Sequence, residues 1–455
     1  MNVAIMGTGY VGLTTGVALA FLGHRVTCFD VDEAKVSRLK AGESPIYEPH
    51  LDELMELASE NLVFTTDARA ALENAEVVFI AVGTPSLPDG NPNLSYLKSA
   101  AHLIGTHISN PFVVIVNKST VPIGSGNWVE SLVRDAYRSR GVDRTRFSVA
   151  SNPEFLREGS ALSDMLYADR VVVGSDEPEA LEVLRRLYQP LLEQTFEPPH
   201  FLGRPEGFRA VPFLNSDLQS AELIKYAANA FLALKISFIN EIAELSEKVG
   251  ADIQHVARGI GLDSRIGSRF LQAGIGWGGS CFGKDTAALV ATGKDYGLNM
   301  QITEAARAVN FRQRSRMVEI LLSELKILKG RKIGILGLAF KPFTDDLRDA
   351  PAFEIASKLI DRGSKVVGFD PVANERARAE WKSLELELVD SAEKVFDEAD
   401  AVVLVTEWPE FRTLDFGALA PKMKQKLVLD GRGLMDGKAL SAAGIRLLTL
   451  GRSNR

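Results

Sequence analysis

The chain has 455 residues, too many for one ordinary domain, so two or three are expected. With 46% hydrophobic and 24% charged residues it reads as a soluble globular enzyme, and a net charge of −7 argues against a nucleic-acid or anionic-membrane surface. Two cysteines, Cys28 and Cys281, argue for a reducing compartment and against a disulfide framework; no apolar run is long enough to cross a bilayer and no basic leader precedes Met1, so a cytoplasmic protein is expected.

Asn2–Met6 reads as a fully buried strand, and Gly7-Thr-Gly9-Tyr-Val-Gly12 follows it directly, opening a helix through Leu22. The G-x-G-x-x-G spacing supplies a tight turn, close backbone approach to a pyrophosphate and close helix–strand packing. A second strand, with Cys28 as a core residue, runs into Asp30, which is placed to accept hydrogen bonds from an adenosine ribose and would repel a 2′-phosphate. NAD is therefore the expected cofactor. Lys35 could screen its phosphates or simply be a solvated helix lysine.

Two more apolar strands, at 75–82 and 112–117, lead into Thr84 and Thr120, where a doubly wound sheet places its ligand; a proline-rich loop through Pro92 follows the first. A further strand runs into Asn152-Pro-Glu-Phe-Leu-Arg-Glu-Gly159. Its two glutamates are four apart, so they face solvent or have separate partners, and Glu154 is a candidate acid/base or water-positioning group. The stretch Glu197–Phe213, rich in proline and aromatics, reads as an ordered surface loop of no assigned role.

Asp217 is a helix N-cap, and apolar residues at helical spacing continue to Val249, ended by Gly250. Being apolar nearly all round, this helix should be buried between domains or subunits. Lys225 and Asn229 interrupt its apolar surface on one face, and a lysine there needs a use for its charge. Arg265 is a candidate phosphate or sugar ligand, with a surface salt bridge as its plain alternative.

Five glycines between 274 and 283 surround Cys281, with Lys284 and Asp285 just after it. Backbone without Cβ atoms can fold around a bulky polar ligand, and a thiol beside a lysine and near a helix start, expected at Thr286, should have its thiolate favoured. Beyond this, Gly330–Lys341 begins another buried strand. Gly363-Ser-Lys-Val-Val-Gly-Phe-Asp370 matches Gly23-His-Arg-Val-Thr-Cys-Phe-Asp30 class by class, suggesting a second βαβ half, but without G-x-G-x-x-G no second dinucleotide is assigned. Strands at 401–406 and 426–430 finish that sheet. The pattern predicts an α/β fold of two Rossmann-like doubly wound domains joined by a long central helix.

Gly7–Gly12, Asn152–Gly159, Ala221-Glu-Leu-Ile-Lys-Tyr-Ala-Ala-Asn229, Gly278-Gly-Ser-Cys-Phe-Gly-Lys-Asp285 and Gly337-Leu-Ala-Phe-Lys341 together resemble the UDP-glucose 6-dehydrogenases, within the nucleotide-sugar dehydrogenase family. The resemblance implies a four-electron oxidation of UDP-glucose by two NAD⁺ and water. It implies an NAD-binding domain over 1–200, a central helical and dimerisation domain with the cysteine loop over 215–310, a UDP-sugar-binding domain over 325–455, and no metal; the apolar perimeter of the long helix, larger than one flanking domain can cover, predicts a homodimer. It further implies that Cys281 captures the C6 aldehyde, that Lys225 and Asn229 stabilise the oxyanion, and that Asp285, Glu154 and Thr120 handle water and protons. Gly7, Gly9, Val11, Gly12, Asp30, Lys35, Thr84, Thr120, Glu158, Lys284 and Arg348 would line NAD. Glu154, Phe155, Leu156, Glu158, Lys225, Asn229, Arg265, Phe270, Gly274, Gly278, Cys281 and Lys341 would hold the nucleotide sugar.

Gly283 stands where the family usually has proline, which should loosen the turn between Cys281 and Lys284 and slow acylation. The competing readings are a dehydrogenase of another nucleotide sugar, such as GDP-mannose or a UDP-N-acetyl amino sugar, and a non-catalytic NAD-binding protein; joint retention of Cys281, Lys225, Asn229 and Asp285 argues against the latter.

Overall fold

The computed structural model describes residues 1–85, 87, 92–141 and 145–452, so Ser86 and residues 88–91 of the expected proline-rich loop lie outside the described residues. The chain divides into two compact units, Met1–Ala228 and Asn229–Arg455, and the division falls inside the helix Leu218–Val249. Each unit is built on its own sheet.

The first sheet holds β1 (Asn2–Met6), β2 (Arg25–Phe29), β3 (Leu62–Thr65), β4 (Val77–Ile80), β5 (Phe112–Asn117), β6 (Arg146–Ser151), β7 (Val171–Gly174) and β8 (Phe213–Ser216). Their spatial order is β3-β2-β1-β4-β5-β6-β7-β8, parallel throughout except where β7 meets β6. The order reverses between β1 and β4, which makes the carboxyl ends of those strands the ligand crevice of a doubly wound sheet. Alternate residues serve opposite faces: Val3, Ile5, Val77 and Phe79 pack into one core, Ala4, Met6, Val78 and Ile80 into the other. Covering both faces is why these strands read as unbroken apolar runs. Cys28 lies in the first core, where burial pushes its thiol up and keeps it protonated.

The second sheet holds β9 (Lys332–Leu336), β10 (Lys365–Phe369), β11 (Leu386–Leu388), β12 (Ala401–Leu404), β13 (Leu427–Asp430) and β14 (Arg446–Thr449), in the order β11-β10-β9-β12-β13-β14 and parallel throughout. The order repeats that of the first six strands of the other unit, as the match between 23–30 and 363–370 suggested. The edge strands β11 and β14 are too short or too polar to stand out in the sequence. Asp370, the counterpart of Asp30, accepts the amides of Leu338, Ala339, Val372 and Ala373 and the Trp408 indole N–H, all within 2.8–3.1 Å. Its carboxylate serves the turn after β9.

The long helix has the bounds read from sequence, and Asp217 caps it by accepting the Ser220 amide at 2.7 Å. Its expected burial is only partial. Leu223, Phe231, Phe238 and Leu245, seven or eight residues apart, form a stripe 44–61% exposed in the single chain. A helix apolar nearly all round has more apolar surface than its own chain covers.

Candidate active site

At the end of β1 the three glycines of the fingerprint have separate jobs. A Cβ on Gly12 would sit 1.9 Å from the Gly7 carbonyl oxygen, and one on Gly7 would meet the Ala81 carbonyl oxygen at 2.8 Å, so both are demanded by the fold. A Cβ on Gly9 would meet no protein atom within 4 Å, although Gly9 caps the helix Tyr10–Phe21, whose first turn carries Val11. That open space at a helix N-terminus is what a pyrophosphate requires.

At the end of β2, Asp30 Oδ2 accepts the Thr8 amide (2.8 Å), the Thr8 hydroxyl (2.7 Å) and Lys35 Nζ (3.1 Å), while Oδ1 accepts the Asp32 amide at 3.1 Å. Burial opposes the charge, but these donors outweigh it and hold the carboxyl below the usual range. A carboxylate oxygen can accept about two hydrogen bonds, so Oδ1 has capacity for a ribose hydroxyl. Lys35 is turned onto Asp30, with which it pairs at 3.1 Å. At the ends of β4 and β5, the Thr84 hydroxyl donates to the Thr120 carbonyl at 2.9 Å, joining the two strand-end threonines.

Past β6 the segment 152–157 has no regular secondary structure, so Glu154 and Glu158 do not share a helical face. Proline at 153 disfavours a helical conformation for Asn152 before it. Glu154 is buried and Glu158 is partly exposed in the turn that follows. Lys225 donates to Glu154 Oε1 and to its carbonyl oxygen, each at 2.7 Å, and the Leu156 amide donates to Oε2 at 2.7 Å. Lys225 is thus a buried ion-pair partner, which explains a lysine on an apolar helix. Burial alone would raise the Glu154 carboxyl, but Lys225 first, then the Leu156 amide and Lys118, hold it below its ordinary value. Glu154 is therefore a carboxylate at neutral pH. Phe155 lies under two cations, Arg170 at 3.7 Å and Lys225 at 5.6 Å from its ring centre. Thr120, Lys118 and Lys225 line one cleft with Pro153.

Lys118 escaped the sequence reading. It is buried, donates to Asn152 Oδ1 at 2.9 Å, and shares that acceptor with the hydroxyl of Tyr188, itself fully buried. The available signal was a lysine directly after the apolar strand β5, a place where a charge is expensive.

In the second unit the helix carrying the thiol spans Ser280–Asp295, six residues earlier than expected. Gly279, in the left-handed region at φ 83°, sets the turn into it. Cys281 is its second residue, and Asp285 sits one turn on with its carboxylate accepting Asn229 Nδ2 at 2.6 Å. Both partners are buried. The Ser280 hydroxyl is 3.7 Å from the Cys281 sulfur, and Lys284 Nζ is 3.9 Å from Asp285. Gly283 falls in the first turn of this helix, not in a loop.

The glycines before it do not stand open for a ligand as their number suggested. Added Cβ atoms at Gly274, Gly278 and Gly279 would strike the Gly431 carbonyl (2.7 Å), the Asp349 carbonyl (2.5 Å) and the Phe340 ring (2.7 Å). Close packing of the loop on its own unit requires them. The loop is further clamped by Asn310, which accepts the Trp277 amide at 2.8 Å and returns a bond to its carbonyl at 2.9 Å, and by buried Arg314, which joins the same carbonyl to Asp349. Phe270, with φ 65°, packs edge-on against Phe282 at 6.3 Å.

Of the remaining candidates, Lys341 Nζ lies 5.4 Å from the Phe340 ring centre, and Arg348 is paired with Asp346 at 2.8 Å. Arg265 is not drawn to the other candidates. Its side chain is 87% exposed and pairs with Asp263 at 2.6 Å, the surface salt bridge that was its alternative reading.

A doubly wound sheet with open space at Gly9 on a helix N-terminus, and a thiol opening a helix beside a buried Asn–Asp pair, define a dinucleotide-dependent oxidoreductase. The models of one family match most of the chain, as its NAD binding domain over 1–192, its central domain over 219–312 and its UDP binding domain over 334–437. The chain belongs to the UDP-glucose/GDP-mannose dehydrogenase family. It is 44% identical to the UDP-glucose 6-dehydrogenase TuaD of Bacillus subtilis, over 99% of this chain and 93% of that one. It is 45% identical to the UDP-glucose 6-dehydrogenase of Rhizobium meliloti, over 99% and 100%. Among solved structures, a UDP-glucose dehydrogenase from Pyrobaculum islandicum superposes with a TM-score of 0.87 at 39% identity, covering 96% of this chain and 95% of that one.

Proposed function

We propose that this chain oxidises UDP-glucose to UDP-glucuronate, consuming two NAD⁺ and one water. The observation that carries the reading is Cys281 at the start of a helix, one turn before an aspartate held by Asn229. A dehydrogenase that stopped at the aldehyde has no use for that thiol. Support for the substrate comes from near-full-length identity to relatives named for it.

NAD⁺, when bound, supplies a hydride acceptor for each oxidation; Gly7, Gly9, Val11, Gly12, Asp30, Thr84, Thr120 and Glu158, with Lys35, Lys284 and Arg348, are its proposed ligands. The Cys281 sulfur attacks the C6 aldehyde, forming a C–S bond and an oxyanion, and the positive end of the helix favours the thiolate that does so. Lys225 and the Asn229 amide stabilise that oxyanion as preorganised donors. The second oxidation leaves a thioester. Water then attacks its carbonyl carbon, the C–S bond breaks, and the thiolate departs. Glu154, held as a carboxylate, accepts a proton from the attacking water or orients it, with Thr120 and Asp285 as partners in proton transfer. Phe155, Leu156, Phe270 and Lys341 hold the nucleotide sugar, while Arg265 stays on its Asp263 salt bridge and Gly274 and Gly278 keep the thiol-bearing loop closely packed. The domain roles follow the same reading: NAD over 1–200, assembly and thiol over 215–310, UDP-sugar over 325–455. Covalent capture keeps the aldehyde from escaping between oxidations.

The exposed stripe Leu223, Phe231, Phe238 and Leu245 supports a homodimer through the long helix. No helix among the described residues is long and apolar enough to cross a membrane, and a reducing cytoplasm suits a chemistry that needs Cys281 as a free thiol. Cys281→Ser tests the reading: NAD binding should persist while UDP-glucuronate formation stops. Full acid formation by that variant removes Cys281 from the mechanism, and turnover of GDP-mannose or a UDP-N-acetyl sugar in place of UDP-glucose moves the substrate.

A further inference from the structure

Glu48 has no part in the chemistry above, yet it is buried and surrounded by donors from two functional segments. It follows Ile46-Tyr47 in a stretch with no regular structure and precedes the helix Leu51–Leu57. Its Oε2 accepts the hydroxyl of Tyr10 and, at 2.6 Å, the amide of Gly159; its Oε1 accepts the amide of Ala161 at 2.7 Å. The Gly159 amide also reaches the Tyr10 hydroxyl oxygen at 3.0 Å, closing a triangle.

Those donors come from separate places. Tyr10 is the first residue of the fingerprint helix, between Gly9 and Val11. Gly159 and Ala161 end the stretch that carries Glu154, Phe155, Leu156 and Glu158. They are 149 residues apart in the chain, and one carboxylate holds both. Charged acceptors make the stronger hydrogen bonds, and two amides that lose a buried acceptor are left unsatisfied.

The 197–213 segment braces the same point. His50, two residues beyond Glu48 and held at φ 63°, stacks on Phe201 with ring centres 5.0 Å apart and planes 14° from parallel. The Tyr167 hydroxyl, at the end of the helix that Ala161 begins, donates to the Leu202 carbonyl at 2.8 Å. A segment with no role legible in the sequence therefore supports Glu48 on one side and the stretch it grips on the other.

We infer that Glu48 and Tyr10 are positioning residues that lock the dinucleotide cradle to the Glu154–Glu158 stretch, so that ordering either one orders the other. The inference rests on the proposed dehydrogenase reading only for the sugar; the cofactor arm does not need it. Tyr10→Phe removes one hydroxyl and leaves the amide contacts of Glu48 intact. Glu48→Gln keeps the shape but places an N–H₂ against an amide donor. NAD⁺ affinity of the full-length protein is measured by calorimetry at a temperature where all variants are folded, with kcat and KM for UDP-glucose and melting temperature alongside.

Each variant should weaken NAD⁺ binding roughly tenfold, the double variant should be no weaker than the worse single, and kcat should fall more than the KM for UDP-glucose rises. Unchanged NAD⁺ affinity and kcat in Tyr10→Phe, or a Glu48→Gln protein altered only in melting temperature, would overturn the inference. Should Glu48→Gln fail to fold, Tyr10→Phe decides alone. If UDP-glucose proves not to be the substrate, the NAD⁺ titration still reads the lock.

Discussion

Lys225 gives its ammonium to the side chain and the main chain of the same residue, Glu154, at 2.7 Å each, 71 positions earlier in the chain. One ion pair thus fixes both the charge state of the carboxylate and the path of the backbone that presents Phe155 and Leu156. Removing one member of a buried pair leaves an uncompensated charge. Lys225→Met should cost about 3–5 kcal/mol in urea denaturation, and adding Glu154→Gln should recover a large part of that loss while activity stays abolished. Additive losses in the double variant would show that the two groups do not stabilise each other.

Lys118 supplies a pH signature. Burial first, and then the charge of Lys225, push its ammonium down to about 8, with Glu154 pulling the other way. In the unfolded chain the group returns toward the ordinary lysine value of about 10.4. Between those values the unfolded state binds the extra proton, so the penalty for burying Lys118 is in force below pH 8 and is lifted as pH rises through that window. Stability of the wild type relative to Lys118→Met should therefore climb with pH above about 8, read from denaturation midpoints; parallel pH profiles for the two proteins would contradict the assignment.

The glycines of the fingerprint should separate by experiment. Gly9→Ala meets no protein atom and should melt like the wild type while binding NAD⁺ more weakly, because its methyl occupies the ligand's space. Gly12→Ala drives a Cβ to 1.9 Å from the Gly7 carbonyl oxygen and should lose stability outright. Equal melting temperatures for both would remove the division of labour.

Much of this architecture is legible in the sequence because its signals are local. Apolar runs ending in Gly7–Gly12 or Asp30, and helical spacing from Leu218 to Val249, report residues that are neighbours in the chain. The active site is less so. The Asn229–Asp285 bond spans 56 residues, and nothing near either one names its partner. Lys118, Glu48, Asn310 and Arg314 are ordinary polar residues until the fold buries them. The thiol loop misled in a specific way: its glycines suggest a ligand, whereas Gly278 and Gly279 are required by Asp349 and Phe340, and the run of glycines conceals a helix that starts at Ser280.

The stripe on the long helix predicts the assembly state. Replacing Phe231 and Phe238, 61% and 46% exposed, by glutamate should convert a dimer to a monomer in sedimentation at micromolar concentration. A wild type that already sediments as a monomer would refute the dimer.

The central claim is that one thiol-bearing site carries out both oxidations. Purified protein with excess NAD⁺ and a limiting amount of UDP-glucose should yield two NADH per sugar, and Cys281→Ser should yield no acid. One NADH per sugar, with an aldehyde or ketone as product, would contradict the account and leave Cys281 without a role.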